Sequence, residues 1–382
     1  MPKADTSVKW FHSDMPGAPA LRGEAGALLE VLDACLINGF DPRTPDSITV
    51  AGEVATVTLG GGNPFEKHAV VAITGASVAA LNAEWRIATS AATSFTFACP
   101  GVADGPATGA TVKRAPAGWA KPFADVNVGV YQSLDPASTQ LYLRVADTDA
   151  RNALVRGYEQ MTDANTGSGL FPTNVQRPNG LSWAKSNEAS AAHKRWAVFA
   201  DGSIVYVYLA TYGALVPTLV GFGDLVSFLA EDRYHCVIVG SAAIPNTSYP
   251  GLNVGLVTPA VSAGCYVARA SSQTGAAAQW ARSTAFATVS GYPYGSGKSA
   301  PIGGELLLSW PVFADDVGAN NTIPIRGYVP GVIAPLHPAY TGVLVEPFDG
   351  SGAFEGRSLV GLMVGEAAQY GSIVIDVTGP WR

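Results

Sequence analysis

Glycine and proline interrupt this chain so often that long regular elements have little room: 43 glycines and 26 prolines are spread over 382 residues. Glycine supplies positive φ in tight turns, while proline fixes its own φ and removes a backbone donor. Between these interruptions lie short apolar runs rich in Val, Ile, Phe, Tyr and Thr, the residue types that fit a pleated surface. The expected fold class is mainly β, with a sandwich- or barrel-like main body, one N-terminal helix and an inserted small β domain.

The helix is expected over Gly26 to Asn38, where Leu28, Leu29, Leu32, Cys35 and Leu36 recur at helical spacing and Gly39 supplies a stop. From Ser47 the pattern changes to period two: ITV, VATVTL, HAVVAI, WRIATS, SFTF and ATVKR, separated by turn sequences. Pro-rich DPRTPD precedes this unit and APAGWAKPF follows it, so the expected organisation is an N-terminal segment (1–46), an inserted module (47–115) and a β-rich body (116–382) with room for two subdomains. In the body, WAVFAD and SIVYVYL meet at Asp201-Gly202, a hairpin signal because both central positions of a tight turn favour positive φ. The uncharged stretch from Ser203 to Gly223 is long enough to span a bilayer, but Gly213, Pro217 and Gly221 break it, and two strands with a turn fit better. A short helix is expected at Gly223 to Ala230.

Charge bounds the partners. The chain has 23 basic and 30 acidic residues, a net charge of −7 and no basic run, which argues against nucleic acid. Only 14% of residues are charged, where an ordinary domain has about a quarter. Between Asp232 and Glu305 there is no carboxylate, and the only charges are Arg233, Arg269, Arg282 and Lys298, so this stretch is expected in a core or against another subunit. Cys35, Cys99, Cys236 and Cys265 form no C-x-x-C pair and read as buried free thiols. The start, MPKADTSVKW, lacks a secretory pattern, so synthesis in a cytoplasm without membrane insertion is expected.

No motif nominates a catalytic, cofactor-binding or metal-ligating residue, and an enzyme is not expected. GYPYGSGKS (Gly291 to Ser299) misses the phosphate-loop spacing, with Tyr292 where the first glycine belongs. None of His12, His68, His193, His235 and His337 has a second histidine at clip spacing. His12, Ser13 and Asp14 are adjacent in sequence, which cannot by itself build a relay, and a turn role fits Ser13 and Asp14 better. Asp147, Asp149, Asp163, Asp315 and Asp316 sit in turn-like sequences and read as turn residues. Trp10, Trp85, Trp119, Trp183, Trp196, Trp280, Trp310 and Trp381 read as core or interface anchors.

Several blocks in fixed order carry a resemblance: VKWFHSDMPGAP (Val8 to Pro19) followed by the helix and INGF, GYEQMTD (Gly157 to Asp163), FGDLVSF (Phe222 to Phe228) and RGYVPGVIAPLH (Arg326 to His337). Spaced along most of the chain, they resemble virion structural proteins of tailed bacteriophages and prophages. The module, with ITGAS, LNAEWRI and SFTF, is similar to a small β module of phage tail and baseplate proteins; Ala83 stands where that pattern has glycine after Leu81-Asn82, which bears on the local turn.

The resemblance implies a virion building block, most readily in the tail or baseplate, that packs against copies of itself in a ring or collar and against other virion proteins. It implies no cofactor and no catalytic residues. The alternative is a capsid-decorating or receptor-binding protein that grips a host-surface glycan through clustered tryptophans. A tail-borne hydrolase would need convergent carboxylates about 5 to 9.5 Å apart or a metal, and the sequence nominates neither.

Overall fold

The computed structural model describes residues 2–211, 217–241, 264–283, 308–309, 312–315, 325–335, 346–366 and 369–382. Among the described residues strands hold 45% and helices 6%, with one α-helix, which makes the fold mainly β. Every strand ladder among the described residues is antiparallel. The stretch Gly291 to Ser299, His337, Trp310, Asp316 and much of the acid-free segment lie outside the described residues.

A central sheet of ten strands runs through the body. Its inner strands Arg195–Ala200, Ile204–Ala210, Pro217–Asp224 and Cys236–Gly240 are buried almost throughout, because both faces are covered. One face receives a five-stranded sheet from Trp119 to Ala184, whose Trp119 Nε1 donates to the Asp201 carbonyl at 3.0 Å and whose Trp183 Nε1 donates to the Val239 carbonyl at 2.8 Å. The C-terminal sheet is tied on by Tyr206 and Tyr208, whose hydroxyls donate to the carbonyls of Pro330 (2.7 Å) and Met363 (2.8 Å). A single apolar cluster spans all three layers.

The hairpin at Asp201 forms, with Ala200 opposite Val205, but through a wider loop than two residues. Gly202 does not adopt positive φ; instead the Asp201 carboxylate accepts the N–H groups of Ser203 (2.7 Å) and Ile204 (2.9 Å) and so closes the turn with its side chain. The apolar stretch after Ser203 folds as two paired strands, Ile204–Ala210 and Pro217–Asp224. No helix forms over Gly223 to Ala230. Gly223 lies within the sheet strand Pro217–Asp224 at φ 138, and Val226–Ser227 pairs with Ile325–Tyr328, so sheet partners take the backbone groups a helix would have used.

The N-terminal helix begins at Ala27 and stays α-helical only to Leu32, after which Asp33–Asn38 continues as a π-helical turn ending at Gly39. Leu28, Leu29, Leu32, Cys35 and Leu36 are all buried, as their spacing requires. The widened turn sits where Asp33 reaches out to Lys121 and to the hydroxyl of Tyr131, at 2.8 and 2.7 Å.

The module has its own apolar core between a five-stranded sheet and a four-stranded sheet. The smaller sheet also takes Phe40–Arg43, from the segment before the expected insert, paired with Thr111–Arg114. Trp85 stacks on Phe97 at 4.9 Å, and Phe65 meets Phe95 edge-on at 5.7 Å. Around Leu81 the chain makes a 3₁₀ turn, and Asn82 clasps Ala76 through both backbone groups, at 2.8 and 3.0 Å. Neither Asn82 nor Ala83 needs positive φ, so the turn dispenses with the glycine of the module pattern.

Candidate functional site

The module meets the body at Arg86, the last residue of the strand Glu84–Arg86. Its guanidinium donates to four carbonyls: Asp5 (2.6 Å), His68 (2.7 Å), Val8 (2.9 Å) and Val377 (3.0 Å). None of these acceptors is a carboxylate, and burial pulls the Arg86 pKa down to about 10 against the opposing pull of Asp5 and Asp376. Lys9 adds an ion pair with Glu84 at 2.8 Å, and the Lys3 ammonium lies 4.5 Å from the Trp85 ring centre. A second buried arginine, Arg114, forks onto Glu66 at 2.5 and 3.2 Å and onto the Pro64 carbonyl at 2.6 Å.

Beside this junction lies a cleft of about 500 Å³. Trp10 and His12 line it from the edge strand Lys9–His12, Lys67 and His68 from the module, Glu346 from just before the edge strand Phe348–Asp349 of the C-terminal sheet and Asp349 from within it. The His12 ring centre lies 5.2 Å from that of Trp10, and its Nδ1 accepts the Asp14 N–H at 3.3 Å, which leaves the ring proton on Nε2. Burial lowers the His12 pKa; Glu66, Asp14 and Glu346 pull it back and Arg114 reinforces the lowering. Burial also lowers that of His68, with Lys67 and Arg86 adding to the effect and Asp349 opposing it. The buried indole N–H of Trp10 meets no acceptor among the described residues.

The other residues singled out in the sequence divide. Asp149 and Asp163 close turns: Asp149 accepts the N–H groups of Arg151 (2.8 Å) and Asn152 (3.0 Å), and Asp163 those of Asn165 (2.7 Å) and Thr166 (2.9 Å). Asp147 is different and corrects the turn reading. It is fully buried, ion-paired to an equally buried Lys185, and accepts the Leu28 N–H at 2.8 Å at the start of the helix. Burial raises its pKa, against which Lys185 and the helix N–H groups of Leu28 and Leu29 favour the charged form. Lys185 also donates to the Glu24 carbonyl. A second buried pair, Arg326 with Asp232, is bidentate at 2.7 and 2.7 Å. Neither pair is visible in sequence, since the partners are far apart and carry no motif.

Ser13 and Asp14 form the expected turn after His12, joined by a 3.2 Å hydrogen bond. All four cysteines are buried free thiols. Among the described residues no three His, Cys, Asp or Glu side chains converge as a metal site, and no helix is long and apolar enough to cross a membrane. Trp10, Trp85, Trp119, Trp183, Trp196 and Trp381 are buried and form no exposed aromatic platform. Among the described residues the large apolar side chains most open to water are Val175, Val126, Leu134 and Phe228.

Compared with known protein families and with curated proteins, the chain has no match.

Proposed function

We propose that this chain is a structural component of a tailed-bacteriophage virion, in the tail or baseplate, and that it works by packing against copies of itself and against other virion proteins. The observation that carries this reading is the distribution of charge. Only 14% of residues are charged, and several of those charges are drawn inside: Lys185 with Asp147, Arg326 with Asp232, and the arginine of the Arg114–Glu66 pair. What remains outside is poor in ions, and surfaces that become lasting contacts are depleted in charge at their centres. The ordered sequence blocks, which resemble those of virion structural proteins of tailed bacteriophages, support the same reading.

A glycan-gripping role would call on exposed tryptophans, and six of them occupy cores instead: Trp10, Trp85, Trp119, Trp183, Trp196 and Trp381. Subunit packing is therefore the reading favoured over glycan recognition. Mass spectrometry of purified particles separated into heads and tails tests it. The chain is expected in the tail fraction; recovery only from infected-cell lysate, with none in washed particles, overturns the proposal.

A further inference from the structure

The five-stranded sheet of the module turns one face to the apolar core and the other to water. Across the outer face its ladders set Pro106, Thr49, Thr56, Thr96 and Thr89 opposite one another in a single row. Thr49, Thr56, Thr89 and Pro106 are exposed, and Thr96 is half-buried. The neighbouring rows repeat the composition: Ser47, Thr58 and Ser94 stand opposite one another on one side, Ala51, Val54 and Ala98 on the other. No residue of these rows is charged, whereas Lys, Arg, Glu and Asp ordinarily make up about 25 to 35% of a solvated surface.

A face without charge gives an anionic or cationic partner nothing to pair with. Its side chains are short, so a second sheet can lie flat on them, and each hydroxyl can both donate and accept. Pairing by the sheet edges is blunted: the border strands Thr89–Ala91 and Gly105–Ala107 are three residues each, and Pro106 has no N–H to give. Two copies of a chain with net charge −7 repel one another, and they meet least opposition where neither carries an ion. We propose that this face is a contact between two copies of the chain, packed sheet on sheet about a two-fold axis. Val54–Thr58 is the middle strand of the five and Thr56 the middle of its row, so the axis passes beside Thr56 and brings it to its own counterpart. The proposal rests on the assembly reading only for the particle that holds such pairs together.

The pair is weak on its own. Five strands about 4.8 Å apart and roughly five residues long make a face of about 400 Å², half of what each partner buries in a standard stable interface. Its salt dependence is also set by the sequence. From Asp46 to Pro64 and from Ile87 to Ala110 the only charges are Asp46, Glu53 and Asp104. All three lie at strand ends, where they accept the N–H groups of Gly60, Gly101 (3.2 Å) and Gly52 (2.9 Å). Two copies bring these like charges together, so added salt strengthens the pair, whereas it weakens a contact between opposite charges.

The test is sedimentation equilibrium of the full chain at rising concentration, for the native protein, T56E and T56K. The native chain is expected to pair reversibly, and more tightly at about 0.5 M than at about 0.05 M salt. T56E and T56K should each lose about tenfold or more in association, because each sets like charges across the axis, and an equal mixture of the two should pair at least as well as the native chain. Thr56 is exposed, so both variants are expected to fold, and their unfolding curves check this. Independently, a short bis-maleimide should join T56C to its counterpart but not V175C, a site on the body, since the four native thiols are buried. A chain that stays monomeric at every concentration, variants that pair like the native protein, weakening by salt, or equal cross-linking of V175C would each overturn the assignment. Binding of maltoheptaose that T56E abolishes, without pairing, would give the face to a neutral glycan and overturn it too. If the chain is present in tails but never pairs, this contact falls and the assembly reading stands; if it pairs but is absent from particles, the reverse holds.

Discussion

Arg86 and Val377 stand 291 positions apart, yet the guanidinium of one donates to the carbonyl of the other at 3.0 Å in a buried setting. The same guanidinium holds the carbonyls of Asp5 and Val8, so one module side chain gathers both ends of the chain. Because its acceptors are dipoles and not carboxylates, the geometry of the fork carries the interaction.

Arg86→Ala should therefore lower unfolding free energy by about 3 kcal/mol or more, from lost charged hydrogen bonds and carbonyls left without donors. Arg86→Lys should recover little of it, because an ammonium cannot reproduce the fork. Urea denaturation measures both; a lysine variant as stable as the native chain would show that charge alone suffices.

The pair Asp147–Lys185 makes a sharper prediction. Asp147→Ala should cost about 3 to 5 kcal/mol, since it strands a buried ammonium. The double variant Asp147→Leu with Lys185→Met should recover much of the loss, because it removes both charges together. It should not recover all, since the Leu28 N–H still loses its acceptor. A double-mutant cycle in denaturant gives the coupling; additive costs would sink the idea that the two charges stabilise one another.

Histidine burial sets a pH dependence. His12 and His68 have folded pKa values below 6.5, so the unfolded chain takes up protons first as pH falls. Stability should be unaffected by these groups above that value and decline below it, each histidine contributing a slope of at most about 1.4 kcal/mol per pH unit. His12→Gln with His68→Asn should flatten the decline. Asparagine is chosen at 68 because His68 has φ 69, a region asparagine tolerates. Thermal melts across this pH range in both proteins provide the check.

Gly331 has φ 73, and an added Cβ would lie 2.2 Å from the Trp381 ring. Gly331→Ala should cost about 1 to 3 kcal/mol through strain and overpacking. Trp381→Leu with Gly331→Ala should cost less than the sum of the two single changes, because a smaller side chain admits the methyl group. Equilibrium unfolding of the three variants decides whether the ring is the obstacle.

Burial of Cys35 and Cys236 raises their thiol pKa values far above the ordinary range, which suppresses the reactive thiolate. A disulfide reagent near neutral pH should leave both unmodified in the native protein and label them after urea is added. Rapid labelling of either in the native state would contradict the packing around the helix or the central sheet.

Much of the fold could be read residue by residue. The period-two runs after Ser47 became strands such as Ser47–Ala51 and Val54–Thr58 with alternating burial. Leu28, Leu29, Leu32, Cys35 and Leu36 buried one helical stripe, although the turn after Leu32 widened. The Asp201 hairpin was legible, but its closure by a side chain was not, because Asp serves equally as a positive-φ residue and as an acceptor. His12 was visible as a residue; its place in one cleft with His68 was not.

The sequence by itself determined the β class, the apolar helix stripe and the scarcity of charge, because these follow from composition and spacing between near neighbours. Only the tertiary structure decided that Asp147 caps a helix and neutralises Lys185, that Arg86 clasps both termini, and that Trp10, His68 and Asp349 share one cleft. Those contacts join residues tens to hundreds of positions apart. Short-range periodicity says which way a side chain faces within its own strand, and only the packing of sheets supplies what it faces.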